Sequence, residues 1–178
     1  MNYLTGKQIA LRALEPEDLD ILYRWENDTT LWQHGCTVAP LSRYLLKCYI
    51  ENYTADIARD NQLRLMIVRR DSLERVGLVD CFDYDATNRR AAIGLLVDPA
   101  CTRQGLGRDA LETFMEYAFR FLHLHQLYVH IAVCNTASLG LFRACGFREC
   151  GHLADWVRLP HGYADALVFQ KINPEEND

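Results

Sequence analysis

The sequence predicts an α/β domain, and three observations carry that expectation. A strand-like run, Ala91 to Val97, leads through a glycine turn, Cys101-Thr102-Arg103-Gln104-Gly105-Leu106-Gly107-Arg108, into a strongly amphipathic helix from about Gly107 to Leu122. A second strand over Gln126 to Val133 is followed by Asn135-Thr136-Ala137-Ser138, an N-cap pattern entering a helix that ends at Cys145 with Gly146 as its stop. The chain has 178 residues, 49% of them hydrophobic, enough for one domain with a sizeable core.

Taken in order, Gln8 to Leu14 reads as the first strand. Pro16 then sits where a helix starts, and Leu19, Leu22 and Trp25 give that helix one apolar face. Asn27 to Pro40 reads as a loop and carries Asp28, Trp32, His34 and Cys36. A second helix is expected from about Ser42 to Ala58, where Leu45, Tyr49, Ile50, Tyr53 and Ile57 recur at helical spacing and the aromatic rings pack in the core. Leu63 to Arg69, Arg75 to Phe82 and Arg89 to Val97 read as three successive strands with polar turns. Beyond the capped helix, Gly146-Phe147 opens another strand-like segment, Arg148 to Leu153. Residues 1–172 thus form one domain, and 173–178 read as a polar C-terminal tail.

Composition narrows the function. A net charge of −5 argues against a general nucleic-acid binder, which normally carries a basic face, and suits a cationic substrate. The sequence shows neither a signal-peptide pattern nor an apolar run long enough to span a bilayer, so no membrane role is expected. Seven scattered cysteines without C-x-x-C spacing read as reduced thiols in a cytoplasmic protein. His123 and His125 lack a third ligand at a recognisable spacing, so no metal site is expected. His152, Asp155, Trp156 and His161 cluster late in the chain, beside an acceptor pocket or simply packed.

The glycine turn points to an anionic ligand. A helix start offers backbone N–H groups to one anion, and Arg103 and Arg108 flank it, which suits a phosphate or pyrophosphate. Gly105-Leu106-Gly107-Arg108-Asp109-Ala110 also fits the dinucleotide fingerprint G-x-G-x-x-A. That fold needs an acid at the end of the next strand to hold the ribose. No Asp or Glu lies between Glu116 and Glu149, and the strand ends in Cys134-Asn135. A helix start without any ligand is the remaining plain alternative.

The residues Val97-Asp98-Pro99, Arg103-Gln104-Gly105-Leu106-Gly107, Asn135-Thr136-Ala137-Ser138-Leu139 and Ala144-Cys145-Gly146-Phe147, in that order, resemble the GNAT superfamily of acyl-CoA-dependent N-acetyltransferases. The resemblance runs from Ile9-Ala10-Leu11-Arg12 to Tyr163-Ala164-Asp165-Ala166-Leu167. Asn88-Arg89-Arg90-Ala91, Leu124-His125-Gln126-Leu127-Tyr128 and the Gly-Phe ending look most like the spermidine and ribosomal-protein N-terminal acetyltransferase branch. It implies an α/β (α+β) fold with a central, mostly antiparallel mixed sheet splayed at the acetyl-CoA site and helices on both faces.

On that resemblance, the backbone of Arg103, Gln104, Gly105, Leu106, Gly107 and Arg108 holds the pyrophosphate of acetyl-CoA. Leu95, Leu96 and Val97 pair with its peptide-like pantetheine arm, and Asn135 holds the arm's amide from the other side, besides its plain role as a helix cap. Ser138 and Phe142 face the thioester end. The implied acceptor is a small amine such as spermidine, or else a protein N-terminus, and relatives often pair as homodimers.

The chain departs from the family at two catalytic positions. Many relatives carry a glutamate two residues before the strand glycine, where this chain has Ala92, and a tyrosine in the second helix, where it has Phe142. An alkylamine with a pKa near about 10.4 must still lose a proton before attack, and the departing thiolate must gain one. The replacement candidates are Ser138 as acid and Asp83 or Asp80 as base, with the turn position of Asp83 also explained by solvation alone. Loss of the usual pair also keeps open an acyl-CoA-binding module with little turnover.

Overall fold

The computed structural model describes residues 2–32 and 39–176. Seven strands form one sheet: β1 Ile9–Arg12, β2 Gln62–Arg69, β3 Arg75–Asp85, β4 Arg90–Val97, β5 Gln126–Ala132, β6 Arg148–Leu159 and β7 Gly162–Ile172. Their spatial order is β1-β2-β3-β4-β5-β7-β6. Every neighbouring pair is antiparallel except β4 and β5, which run parallel.

The helices are α1 Leu19–Glu26, α2 Thr29–Trp32, α3 Arg43–Asn52, α4 Ile57–Asp60, α5 Leu106–Arg120 and α6 Thr136–Ala144. Alternation along the strands sends successive side chains to opposite faces, and each face has its own core. Leu65, Ile67, Val79, Ile93 and Leu127 pack with Phe114, Leu111 and Ala110 of α5 and with Leu139 and Phe142 of α6. Met66, Val68 and Leu78 pack on the opposite face against Leu22 and Trp25 of α1, with Tyr49 and Ile50 of α3 at the margin. These two layers are the expected ones.

The α1 face is fixed by a wholly buried carboxylate. Asp18, in the 3₁₀ turn Pro16–Asp18, accepts two hydrogen bonds from Arg12 at 2.7 and 2.8 Å and one from the Glu15 backbone at 2.9 Å, and Arg75 reaches it at 2.7 Å. Burial opposes its charge, but these partners outweigh burial and hold its pKa below the usual carboxylate range.

Three expectations change. The helix expected over Ser42 to Ala58 is two, because the chain turns extended at Tyr53, Ala55 takes φ +56°, and Asp56 caps a new start by accepting from the Ala58 and Arg59 N–H groups. Leu45, read as part of its apolar face, is exposed, and Leu46 is buried instead. The tail expected from Asn173 is folded through residue 176: Asn173 is buried, its N–H donates to the His125 carbonyl at 2.7 Å, and Glu175 pairs with Arg120 at 2.6 Å. Single-residue polarity hid this, since an Asn that satisfies helix-end carbonyls reads as a loop residue. His34 and Cys36 lie outside the described residues.

Candidate active site

The site begins where the sheet parts. β4 and β5 pair at Arg90–Gln126, Ala91–Leu127 and Ala92–Tyr128, and diverge beyond. The strand end that leaves β5 is Gly94-Leu95-Leu96-Val97. On its other side it stays bonded to β3, with Val79 opposite Leu95 and Leu78 opposite Leu96. One edge of this stretch is therefore turned toward the opening between the strands and offers backbone groups for β-type pairing.

Asp98 anchors the exit from β4. Its carboxylate accepts from Trp25 Nε1 at 2.8 Å and from the Ala100 N–H at 3.0 Å, and it also pairs with Arg24. The chain then enters the turn with Arg103 at φ +59° and Gly105 at φ +81°, and Gly105 is the N-cap of α5. Glycine takes this left-handed cap without a Cβ penalty, and the first N–H groups of the helix have no carbonyl partner within it, so the helix dipole favours an anion there. Gly107 lies against the parted strand: a Cβ there would sit 3.2 Å from Val97 Cγ2 and 3.6 Å from Leu95 Cδ2 and Leu141 Cδ2. The turn, the strand end and α6 thus meet at one point.

Two side chains of the turn take other partners. Gln104 bonds Arg69, and Arg108 pairs with Glu112 at 2.8 Å. What the turn presents is mainly backbone, as a pyrophosphate cradle requires. Asp109, four residues into the motif, is buried and accepts from the backbone N–H groups of Lys7, Gln8 and Ile9 at 3.0, 2.6 and 3.1 Å, which ties β1 to α5.

α6 supplies the opposite wall. Asn135 Oδ1 accepts from the Ser138 N–H at 3.1 Å, so the cap reading of Asn135 holds and its amide nitrogen is the end facing away from the helix. Ser138 is half-buried in the first turn. Phe142 is 2% exposed and meets Phe147 edge-on at 4.9 Å, which places its ring in the core.

The α1 face of the parted sheet holds a charged cluster of which sequence reading found only part. Arg64 of β2 lies opposite Asp80 of β3 and grips it twice, Nε to Oδ1 at 2.6 Å and Nη2 to Oδ2 at 3.0 Å. Its Nη1 donates to Glu26 Oε1 of α1 at 2.9 Å. The Tyr49 ring lies 5.6 Å from the guanidinium carbon and stacks on Tyr53, whose hydroxyl accepts from the Arg64 N–H. Burial disfavours the guanidinium charge, but Asp80 and Glu26 outweigh it and raise the Arg64 pKa above its usual value. Burial also pushes the Tyr49 hydroxyl up to about 12, so it stays protonated.

This cluster revises the candidate bases. Asp80 has both oxygens engaged by Arg64, which suits it to hold charge in place rather than to accept a proton. Asp80 lies opposite Gly94, which has no side chain to shield it from the parting strand. Asp83 is exposed, with φ +51°, inside the bulge between Phe82 and Asp85 of β3 rather than in a turn. Tyr128, the partner of Ala92, has its hydroxyl pKa raised by burial and by the charge of Asp83.

Arg64 is the residue of this cluster that sequence reading missed. The available signal was a lone charge inside the apolar run Leu63-Arg64-Leu65-Met66-Ile67-Val68, matched by a lone acid in Val79-Asp80-Cys81. Of the late cluster, His152 Nε2 pairs with Asp165 at 2.7 Å, and Trp156 stands 57% exposed, edge-on at 6.1 Å to His130, whose ring lies 5.8 Å from that of Tyr128.

Comparison with known proteins agrees with this geometry. The family described as acetyltransferase (GNAT) domain matches residues 8–148. The spermidine N(1)-acetyltransferase of Vibrio cholerae is 29% identical over 160 residues, covering 90% of each chain. That of Escherichia coli K12 is 26% identical, covering 93% of this chain and 88% of the relative. A crystal structure of the Vibrio cholerae enzyme in complex with CoA and spermine superposes with a TM-score of 0.82 at 26% identity, over 93% of this chain and 96% of that one.

Proposed function

This chain belongs to the GNAT acetyltransferase family, and from that premise we propose that it carries acetyl from acetyl-CoA directly to a primary amine of a spermidine-like polyamine. The observation that carries the reading is the parted β4–β5 edge opening beside Glu26 and Asp80, with Asp83 near Tyr128 of β5. Glu26 and Asp80 outnumber the guanidinium between them, Arg64, and leave negative charge that draws an ammonium group. The spermidine acetyltransferases similar to this chain support the same acceptor class.

In this mechanism the backbone of Gln104 to Arg108 binds the pyrophosphate, and Leu95 to Val97 align the arm so that a β4 N–H polarises the thioester carbonyl. Asp83 takes the proton of the acceptor ammonium, directly or through one water. The freed nitrogen lone pair forms the C–N bond as the C–S bond breaks. The nitrogen, now bonded to the acyl carbon, gives up its second proton to water, and Ser138 relays a proton from that water to the thiolate. Phe142 has no proton to give and serves as packing.

The test is mass-spectrometric detection of product after incubation with acetyl-CoA and a mixture of polyamines, aminoglycosides and short N-terminal peptides. Thiol-release reagents are unsuitable, because Cys134 and Cys150 are exposed. Acetylated spermidine is the expected result. An acetylated peptide instead would assign the chain to protein N-termini. Ala92 and Phe142 favour one other reading, a weakly catalytic acyl-CoA-binding module, which absence of any product together with tight CoA binding would support.

A further inference from the structure

Arg64 is an unusual occupant of an amine-binding face. Its side chain is 18% exposed, and those of Glu26 and Asp80 are 15% and 20% exposed, so the three charges sit largely out of water. They come from three separate elements, β2, α1 and β3, and Tyr49 of α3 covers the guanidinium. Two converging carboxylates under an aromatic ring make a seat for a cation. Here the cation is supplied by the chain itself.

We infer that Arg64 is a specificity-determining residue: the protein's own guanidinium fills the cation seat between Glu26 and Asp80, so that the acceptor face selects amines carrying few positive charges. The inference rests on the polyamine reading for its substrate class. Two carboxylates with Arg64 between them present one unit of negative charge, which suits one distal ammonium. A diamine has one such group besides its reacting amine, and a tetraamine has three. The additional ammonium groups of a longer polyamine gain nothing at this seat while Arg64 holds it.

The experiment compares kcat/KM for putrescine, spermidine and spermine in the wild type, Arg64→Gln, Arg64→Lys and Glu26→Gln. Arg64→Gln vacates the seat, and the spermine-to-putrescine ratio should rise about tenfold, the worth of one further ion pair in a half-buried seat. Arg64→Lys keeps the charge and should leave the ratio near that of the wild type. Glu26→Gln neutralises the triad while keeping the Arg64–Asp80 grip, so the ratio should fall, with the loss falling mainly on KM. That opposite sign keeps the inference testable even where Arg64→Gln does not fold. A folded Arg64→Gln with the wild-type ratio, or a Glu26→Gln that leaves it unmoved, would overturn it.

Failure of the polyamine reading shows separately, as no acetylated polyamine from the wild type. The same variants are then compared on peptides with Lys or Glu at the second position, where Arg64→Gln should favour Lys. Where nothing turns over, calorimetric titration of putrescine and spermine into the CoA-loaded protein reads the same ratio as affinities.

Discussion

The two sides of the site are built in different ways. The side proposed for the cofactor is mostly backbone: the edge of β4, a left-handed Gly105 and the first turn of α5, all within the span Gly94 to Arg108. The side proposed for the acceptor is side chain: Glu26, Arg64 and Asp80, drawn from three elements and meeting through hydrogen bonds of 2.6 to 3.0 Å. A backbone site tolerates drift in sequence wherever its dihedrals survive. A side-chain site changes its chemistry with one substitution, which is where one family diversifies its acceptors.

The contrast is breakable by substitution. The largest effect should come from Asp80→Asn, which leaves Arg64 half-compensated in a largely buried setting. Loss of one partner of such a pair costs ~3 kcal/mol, and chemical denaturation should show it. An unchanged midpoint would mean that Glu26 and solvent suffice to hold the guanidinium. Next is Ser138→Ala, expected to lower kcat about 10²-fold if the hydroxyl serves the thiolate. Adding Phe142→Tyr in that background should restore part of the loss by returning a proton donor to α6. Turnover unaffected by Ser138→Ala removes Ser138 from the chemistry.

Gly105→Val should weaken CoA binding about 5- to 30-fold, since holding a left-handed non-glycine residue in the binding turn costs ~1–2 kcal/mol. Isothermal titration with CoA measures it, and full affinity would displace the anion cradle from this turn. The narrowest effect, confined to low pH, concerns acid. The Asp18 pKa is depressed in the folded state, so its contribution to stability is complete above the ordinary carboxylate value and is lost as pH falls below it. Asp18→Asn should therefore flatten the stability profile below about pH 4. A profile as steep as that of the wild type would assign the acid transition to other carboxylates.

Legibility followed the same division. The strand, turn and helix around Gly105 and the cap at Asn135 are local patterns, and the structure places them where spacing put them. The Arg64–Asp80 pair depends on the antiparallel register of β2 and β3, and its Glu26 arm on how α1 lies across the sheet; neither is written in a short window. Asp83 looked like a turn aspartate because β3 runs on through a bulge to Asp85, and a bulge has no composition of its own. Asn173 looked like tail because its partners, the carbonyls of Phe119 and Leu124, lie about fifty residues away in sequence.

The parting of β4 from β5 has a mechanical consequence. Three residue pairs, at Arg90 to Ala92, join a plate of four strands to a plate of three, like a hinge along one short edge. A molecule seated between the plates works as a keystone, bridging main-chain groups that neither plate satisfies for the other. Its binding energy then adds to the cohesion of the whole domain by mass action. Amide exchange at Leu95 to Val97 should slow when CoA is added, and the enzyme should be stiffest when it is loaded to react.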